Sequence, residues 1–207
     1  MDKKSKLALA SVAIFITSFL FLTGLQKQAQ PYVIDGYRFQ EWSSEAMMQT
    51  VSLQDLRDAP FETLANIHIQ PPGFDLLRAI FVHLWAALDI QTALRQVDLS
   101  LYFLWSILYS LTGVIIFRWL SGLIDPITAF VASLLFLLHP AAISYATLLD
   151  TTFLSAFLIL WMYYSLWKLG RNPASIFAVT VSSVLLFFFR SIFQLPFILM
   201  MALRSIY

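Results

Sequence analysis

The chain contains no cysteine, and only 12% of its residues are charged. Without cysteine it has neither a disulfide framework nor a thiolate metal site. The formal net charge of +1 gives no electrostatic attraction for a polyanion such as nucleic acid. The sequence also lacks a glycine-rich phosphate loop and a histidine cluster with metal-ligand spacing. These absences exclude a disulfide-rich domain and give no sign of a nucleic-acid-binding protein or a P-loop enzyme.

Hydrophobic side chains make up 59% of the 207 residues, a composition typical of integral membrane proteins. The first apolar run extends from Leu7 to Leu25 and follows three lysines. Its length matches the ~20 residues that a hydrocarbon core requires, whereas the apolar region of a cleaved signal peptide has roughly 7–15. We therefore expect an uncleaved anchor with a cytoplasmic amino terminus. Further apolar runs predict spans near 99–120, 126–144, 151–168, 174–189 and 192–203.

The segment 73–90 decides the predicted topology. If it crosses the membrane, four later basic residues fall outside; if it lies on the outer surface, they fall inside, as the positive-inside rule favours. We therefore expect an interfacial amphipathic helix with Asp75, Arg78 and Asp89 largely opposite its apolar face. The four basic residues are Arg118, Lys168, Arg171 and Arg204, and the apolar face consists of Phe74, Leu77, Ile80, Phe81, Leu84 and Leu88.

The predicted fold is an all-α integral membrane protein with about six transmembrane helices. Residues 1–25 form the first anchor, 26–98 a long first outer loop with interfacial amphipathic helices, and 99–207 a transmembrane bundle. The outer loop holds nine of the twelve acidic residues, so carboxylate chemistry is expected on that face. A small transporter is less favoured, because the middles of the spans carry almost no charge.

Several short motifs occur in a characteristic order along the chain. An aspartate follows the first span, and then come a Pro-Pro helix start, an arginine in an inner turn, a His-Pro pair and another aspartate. This order, across most of the chain, resembles the amino-terminal module of the GT-C superfamily of polyprenyl-phosphate-sugar-dependent glycosyltransferases. Protein O-mannosyltransferases and aminoarabinose transferases are the most similar types. The motif residues are Asp35, Pro71 with Pro72, Arg118, His139 with Pro140, and Asp150.

The chain departs from the GT-C pattern at two places. Gly36 stands where many members have a second acidic residue, and relatives usually continue through more spans beyond the position of Tyr207. The chain is therefore a fragment, a minimal member or one half of an assembly with a partner chain. A catalytically inactive or truncated GT-C-like scaffold subunit is accordingly the rival function.

The resemblance implies glycosylation in the cell envelope, with transfer of a sugar from a polyprenyl-phosphate donor. The acceptor is a lipid, glycan or protein, and the active face is the outer face of the plasma (inner) membrane, among membrane lipids. Asp35 is the candidate base for the acceptor proton. Arg190 is the candidate ligand of the donor phosphate, because guanidinium groups bind phosphate oxygens in pairs. The alternative for Asp35 is an aspartate in a turn or at a helix cap. The alternative for Arg190 is an arginine that snorkels to the membrane boundary.

Four further residues are weaker candidates. Asp150 and His139 are candidates for binding the acceptor or a divalent cation, Mg²⁺ or Mn²⁺. The structural alternative for Asp150 is a helix cap, and that for His139 is a polar residue at the membrane interface. Tyr37 and Trp42 have the aromatic rings that stack on sugars, but such rings are expected at the interface of any membrane protein.

Overall fold

A computed structural model describes residues 2–28, 33–34, 37–38, 50–66, 71–149, 151–169 and 172–190. Within these residues the regular structure is α-helical apart from one two-residue antiparallel ladder, which confirms the predicted helical class. The elements are α1 (Lys3–Gln28), β1 (Val33–Ile34), β2 (Tyr37–Arg38), α2 (Leu53–Asp58), α3 (Pro60–Ala65), α4 (Gly73–Leu84), α5 (Ile90–Leu120), α6 (Pro126–Leu137), α7 (Pro140–Thr147), α8 (Thr151–Trp167) and α9 (Ala174–Phe189).

Two helices, α1 and α5, are long and apolar enough to cross a membrane. The pair α6 and α7 passes the same criterion together but is bent by 56°, so it is either one broken span or a re-entrant segment. Helices α8 and α9 are apolar but shorter, with 17 and 16 residues. Their length of about 25 Å falls slightly below the ~30 Å of a hydrocarbon core. The predicted run 192–203 lies outside the described residues, and the count of about six spans stays a prediction.

The chain divides into two compact units. The first contains residues 1–41 and 102–149, and the second contains 42–101 and 150–207. The chain passes from one unit to the other at three points, after residues 41, 101 and 149, and the second of these falls within α5. The predicted division at residues 25 and 98 concerns exposure to the membrane, and it stays a prediction.

In the first unit, small residues allow the helices to pack closely. A Cβ atom added to Gly113 of α5 would lie 2.5 Å from Leu137 Cδ1 of α6 and 3.1 Å from Ile14 Cγ2 of α1. On α1, the hydroxyl of Ser18 bonds back to the carbonyl oxygen of Ile14 at 2.6 Å, so this polar group needs no partner on another helix. Small residues at helix contacts are typical of packing within membranes. The buried face of α1 consists of Ser11, Ile14, Ser18 and Leu22.

In the second unit, α8 and α9 pack against each other, α2 and α3 pack on α4, and α4 packs on α9. One contact between α8 and α9 is that of the Ser183 hydroxyl with the Met162 sulfur, at 3.5 Å. The buried residues of the two helices include Phe153, Leu154, Phe157, Leu158 and Met162 of α8 and Ser175, Ser182 and Leu186 of α9. This unit therefore brings α4 to the end of α9 that precedes Arg190.

Helix α4 follows the Pro-Pro pair as predicted, but its charged face points into the protein. Asp75 and Arg78 are both 0% exposed, whereas Leu76, Ile80 and Leu84 are exposed. The sequence predicts these charges opposite the apolar face but not which face packs on the protein, and in the structure the charged side is the buried one. The physical reason is that each charge finds a partner inside, where its desolvation is offset.

Candidate functional site

The predicted site residues are described to different extents. Asp35, Trp42 and Asp150 lie outside the described residues, and only the backbone of Tyr37 is described, in β2. Arg190 is described in full. Proximity of Asp35 and Asp150 to Arg190 thus stays a prediction.

The ladder formed by β1 and β2 flanks Asp35 along the chain. Its register pairs Val33 with Arg38 and Ile34 with Tyr37. Helix α1 ends at Gln28, so Asp35 follows seven residues later (35 − 28 = 7). Even a fully extended segment of that length spans at most about 25 Å. If α1 is a membrane anchor, Asp35 is therefore confined to the region near its end.

Arg190 directly follows α9 in the chain, and its side chain contacts the first turn of α8. Its backbone leaves the helix with φ −144° and ψ 122°, and its N–H donates to the carbonyl oxygen of Leu186 at 3.0 Å. Its guanidinium Nη2 donates to the hydroxyl oxygen of Thr152, in the first turn of α8. The side chain is half-buried, and Thr152 is its hydrogen-bond partner among the described residues. Of the five N–H donors of a guanidinium, most are therefore not used by the described part of the chain.

The electrostatic setting of Arg190 favours a cation and a nearby anion. A positive charge at the carboxyl end of α9 is stabilised by the partial negative charge of that helix end. The amino end of the 17-residue helix α8 carries the opposite partial charge, and Thr152 places the guanidinium beside it. An anion at this point would be attracted by both the guanidinium and the start of α8.

His139 caps a helix. Its Nδ1 accepts a hydrogen bond from the N–H of Ala141 at 3.2 Å, and Pro140 occupies the first position of α7. The cap is a structural role that the sequence did not predict for His139, for which the alternative was an interfacial polar residue. Its predicted role in binding an acceptor or cation stays a prediction.

The run 126–144, predicted as one span, is interrupted at Leu138 and His139. Proline has no N–H and cannot continue a helix from the preceding turn. In an unbroken helix the carbonyl of Leu137 would accept from Ala141, whose N–H is instead bound by the His139 side chain. The hydroxyl of Tyr109 in α5 donates to that carbonyl oxygen. Sequence reasoning missed Tyr109; the only signal for the break was the His-Pro pair.

A cluster of charged side chains and backbone groups, which the sequence did not predict, joins α4 to the segment before α2. Arg78 Nη1 donates to Asp75 Oδ1 at 2.7 Å and to the carbonyl oxygen of Val51 at 2.6 Å. Asp75 Oδ1 also accepts from the N–H of Val51 at 3.3 Å. Nearby, Arg57 Nη2 of α2 donates to the carbonyl oxygen of Ala86 at 2.6 Å, just after α4. These bonds give the charges of the cluster structural partners.

Several carboxylates cap helices. Asp125 Oδ1 accepts from the N–H groups of Ile127 and Thr128, each at 3.0 Å, at the start of α6. Asp89 Oδ1 accepts from the N–H of Thr92 at 3.0 Å at the start of α5. Hydrogen bonds from Thr128 and Thr92 hold the pKa of the respective carboxyl groups below the usual value. In the described residues, no group of three or more histidine, aspartate or glutamate side chains is arranged to hold a metal ion.

Comparison of the chain with protein-family models, with curated proteins and with solved structures finds no match. The class of the protein is defined by its fold: an α-helical chain with helices long and apolar enough to cross a membrane.

Proposed function

We propose that the chain is a membrane glycosyltransferase of the GT-C type, which moves a sugar from a polyprenyl-phosphate donor to an acceptor on the non-cytoplasmic face. The observation that carries this proposal is the position of Arg190. Its guanidinium lies at the carboxyl end of α9 and is hydrogen-bonded to Thr152 at the start of α8. A half-buried cation at a helix junction suits the phosphate of a lipid-linked donor.

The reaction requires two groups. When the acceptor oxygen or nitrogen bonds to the anomeric carbon, the bond from that carbon to the phosphate oxygen breaks, and the phosphate leaves with the electron pair. Arg190 stabilises the negative charge of the departing phosphate. Asp35 takes the acceptor proton.

The membrane setting supports the same proposal. A polyprenyl donor holds its phosphate at the membrane surface, and α1 is a candidate span that ends seven residues (35 − 28 = 7) before Asp35. The amino terminus is proposed to be cytoplasmic, since Lys3, Lys4 and Lys6 precede the apolar part of α1. This orientation places Asp35 on the outer face of the plasma membrane.

The direct test is transfer of a radiolabelled sugar from a polyprenyl-phosphate donor to membrane acceptors by the full chain in lipid vesicles. Asp35→Asn preserves size and removes the base, so transfer should fall by about two to four orders of magnitude. Glu62→Gln is the matched control, because Glu62 is an exposed carboxylate in α3 within the same predicted outer loop. It should leave transfer unchanged.

The same assay separates the rival functions. Near-normal transfer by Asp35→Asn would eliminate Asp35 as the base. Absence of transfer by the unaltered chain would favour the scaffold subunit. A separate measurement of donor binding tests Arg190. Arg190→Lys should bind the polyprenyl-phosphate donor more weakly because it loses the planar two-point fit, and Arg190→Leu should bind it more weakly still.

A further inference from the structure

Gly73, the first residue of α4, touches the backbone of α9 directly. A Cβ atom at this position would lie 2.5 Å from the carbonyl oxygen of Phe188 and 2.8 Å from its carbonyl carbon. It would also lie 3.2 Å from Cδ1 of Phe189. Arg190 follows in the next position of the chain, so α4 contacts α9 at the turn that presents the guanidinium.

We propose that Gly73 is a positioning residue: its missing side chain lets α4 dock on the Phe188 backbone and thereby holds Arg190 beside Thr152 to receive the phosphate of the lipid donor. This inference rests on the proposed function, and it adds a residue to the same site. Gly73 itself is not expected to touch the donor.

The contact at Gly73 cannot be relieved by a rotamer change. The nearest obstacle is a backbone carbonyl, and backbone atoms of a helix move only with the helix. The Gly73 backbone does not adopt the left-handed conformation, so an alanine there would meet only the steric obstacle. An added methyl group must therefore separate α4 from the end of α9.

Helix α4 has little freedom to make that movement. Its first turn is fixed through Asp75 and Arg78, both buried and bonded to the Val51 backbone. At the end of α9 the backbone already leaves the helical conformation, at Arg190. The displacement should therefore fall on Phe188 and the residues after it, including Arg190.

The test measures binding of a long-chain polyprenyl phosphate to the full chain in lipid nanodiscs, with the corresponding polyprenol as the phosphate-free probe. Gly73→Ala should weaken binding of the phosphate by about tenfold, the worth of one hydrogen bond to a charged group, and leave polyprenol binding unchanged. Gly113→Ala is the control for a methyl group added at a tight helix contact, since its Cβ would also meet an atom at 2.5 Å, here the side-chain Cδ1 of Leu137 in the other unit. Gly113→Ala should leave the phosphate affinity unchanged.

A double variant distinguishes positioning from general damage. If Gly73 acts through Arg190, adding Gly73→Ala to Arg190→Leu should not weaken phosphate binding beyond Arg190→Leu alone. An independent loss in the double variant would overturn the inference. Phe189→Ala loosens the same contact by removing the ring next to Gly73, and it should also weaken phosphate binding. This variant keeps the inference testable if Gly73→Ala does not fold.

The outcomes separate the inference from the proposed function. If the unaltered chain does not prefer the phosphate to the polyprenol, the proposed function fails and the inference fails with it. If the unaltered chain prefers the phosphate, Arg190→Leu abolishes the preference, and Gly73→Ala and Phe189→Ala both retain it, the inference alone is overturned.

Discussion

Asp75 and Arg78 form an ion pair that is completely buried in the second unit, with 2.7 Å between Oδ1 and Nη1. The pair lies one helical turn apart on α4 and binds both the N–H and the C=O of Val51, as a neighbouring strand would. A piece of chain 24 to 27 residues away is thus fixed to α4 by two buried charges.

Removing one partner of this pair should be far more damaging than removing both. Arg78→Leu leaves the Asp75 carboxylate buried without its cation, which should cost about 3–5 kcal/mol. The double variant Asp75→Leu/Arg78→Leu leaves no buried charge of the pair without its counter-ion, so it should unfold at a higher temperature than Arg78→Leu. Thermal unfolding followed by circular dichroism measures the difference. Asp58→Ala, at an exposed residue of α2, is the control and should change stability by no more than ~0.5 kcal/mol.

The break between α6 and α7 gives a second prediction. Tyr109→Phe removes the hydroxyl that serves the Leu137 carbonyl, which should cost about 1–3 kcal/mol. Tyr145→Phe is the matched control, because Tyr145 is exposed on α7 and should tolerate the loss of its hydroxyl. Equal thermal midpoints for the two variants would show that the Tyr109 bond does not stabilise the break.

His139→Asn should retain the cap of α7 and His139→Ala should lose it, at a cost of about 0.5–2 kcal/mol.

The sequence predicted those parts of the fold that depend on local signals. The apolar runs 151–168 and 174–189 correspond closely to α8 and α9. By contrast, α5 begins at Ile90 rather than near 99, because Asp89 caps it. A polar residue between two apolar stretches does not by itself reveal whether it caps the second or separates the two.

The orientation of α4 was not predictable, because it depends on a partner distant in sequence. Periodicity identified its two faces, but only the bonds to Val51, 24 and 27 residues away, make the charged face the buried one. Tyr109 was missed for the same reason, since Leu137 lies 28 residues further along the chain. For the candidate site, the sequence singled out Arg190, but not its partner Thr152 or the contact of Gly73 with α9.

The aspartate cap of α6 should make stability depend on pH. Hydrogen bonding by Thr128, through its side chain first and then its backbone, lowers the pKa of the Asp125 carboxyl group from its ordinary value of 3.8. Because the folded pKa lies below the unfolded one, the stabilising effect is present above the unfolded pKa and disappears as the pH falls through the folded pKa. Asp125→Asn keeps an acceptor but cannot titrate, so its thermal midpoint should fall less steeply between about pH 5 and pH 2. Parallel midpoint curves for the two proteins would contradict this role.

Helix α5 allows the topology to be tested directly, because the chain has no cysteine of its own. Positions 95 and 119 are 24 residues apart (119 − 95 = 24) in the continuous helix Ile90–Leu120. At about 1.5 Å per residue they are separated by about 36 Å, more than the ~30 Å of a hydrocarbon core. If α5 spans the membrane, a membrane-impermeant thiol reagent added outside should therefore label only one of the variants Arg95→Cys and Trp119→Cys.

The identity of the labelled position decides the orientation. We expect position 95 to react and position 119 to remain unlabelled, since Arg118 belongs to the basic residues expected inside. A permeant thiol reagent should label both variants and serves as the control for reactivity. Labelling of 119 alone would mean that the segment 73–90 crosses the membrane, which would contradict the GT-C topology on which the proposed function depends. Labelling of both positions from outside would instead show that α5 does not span.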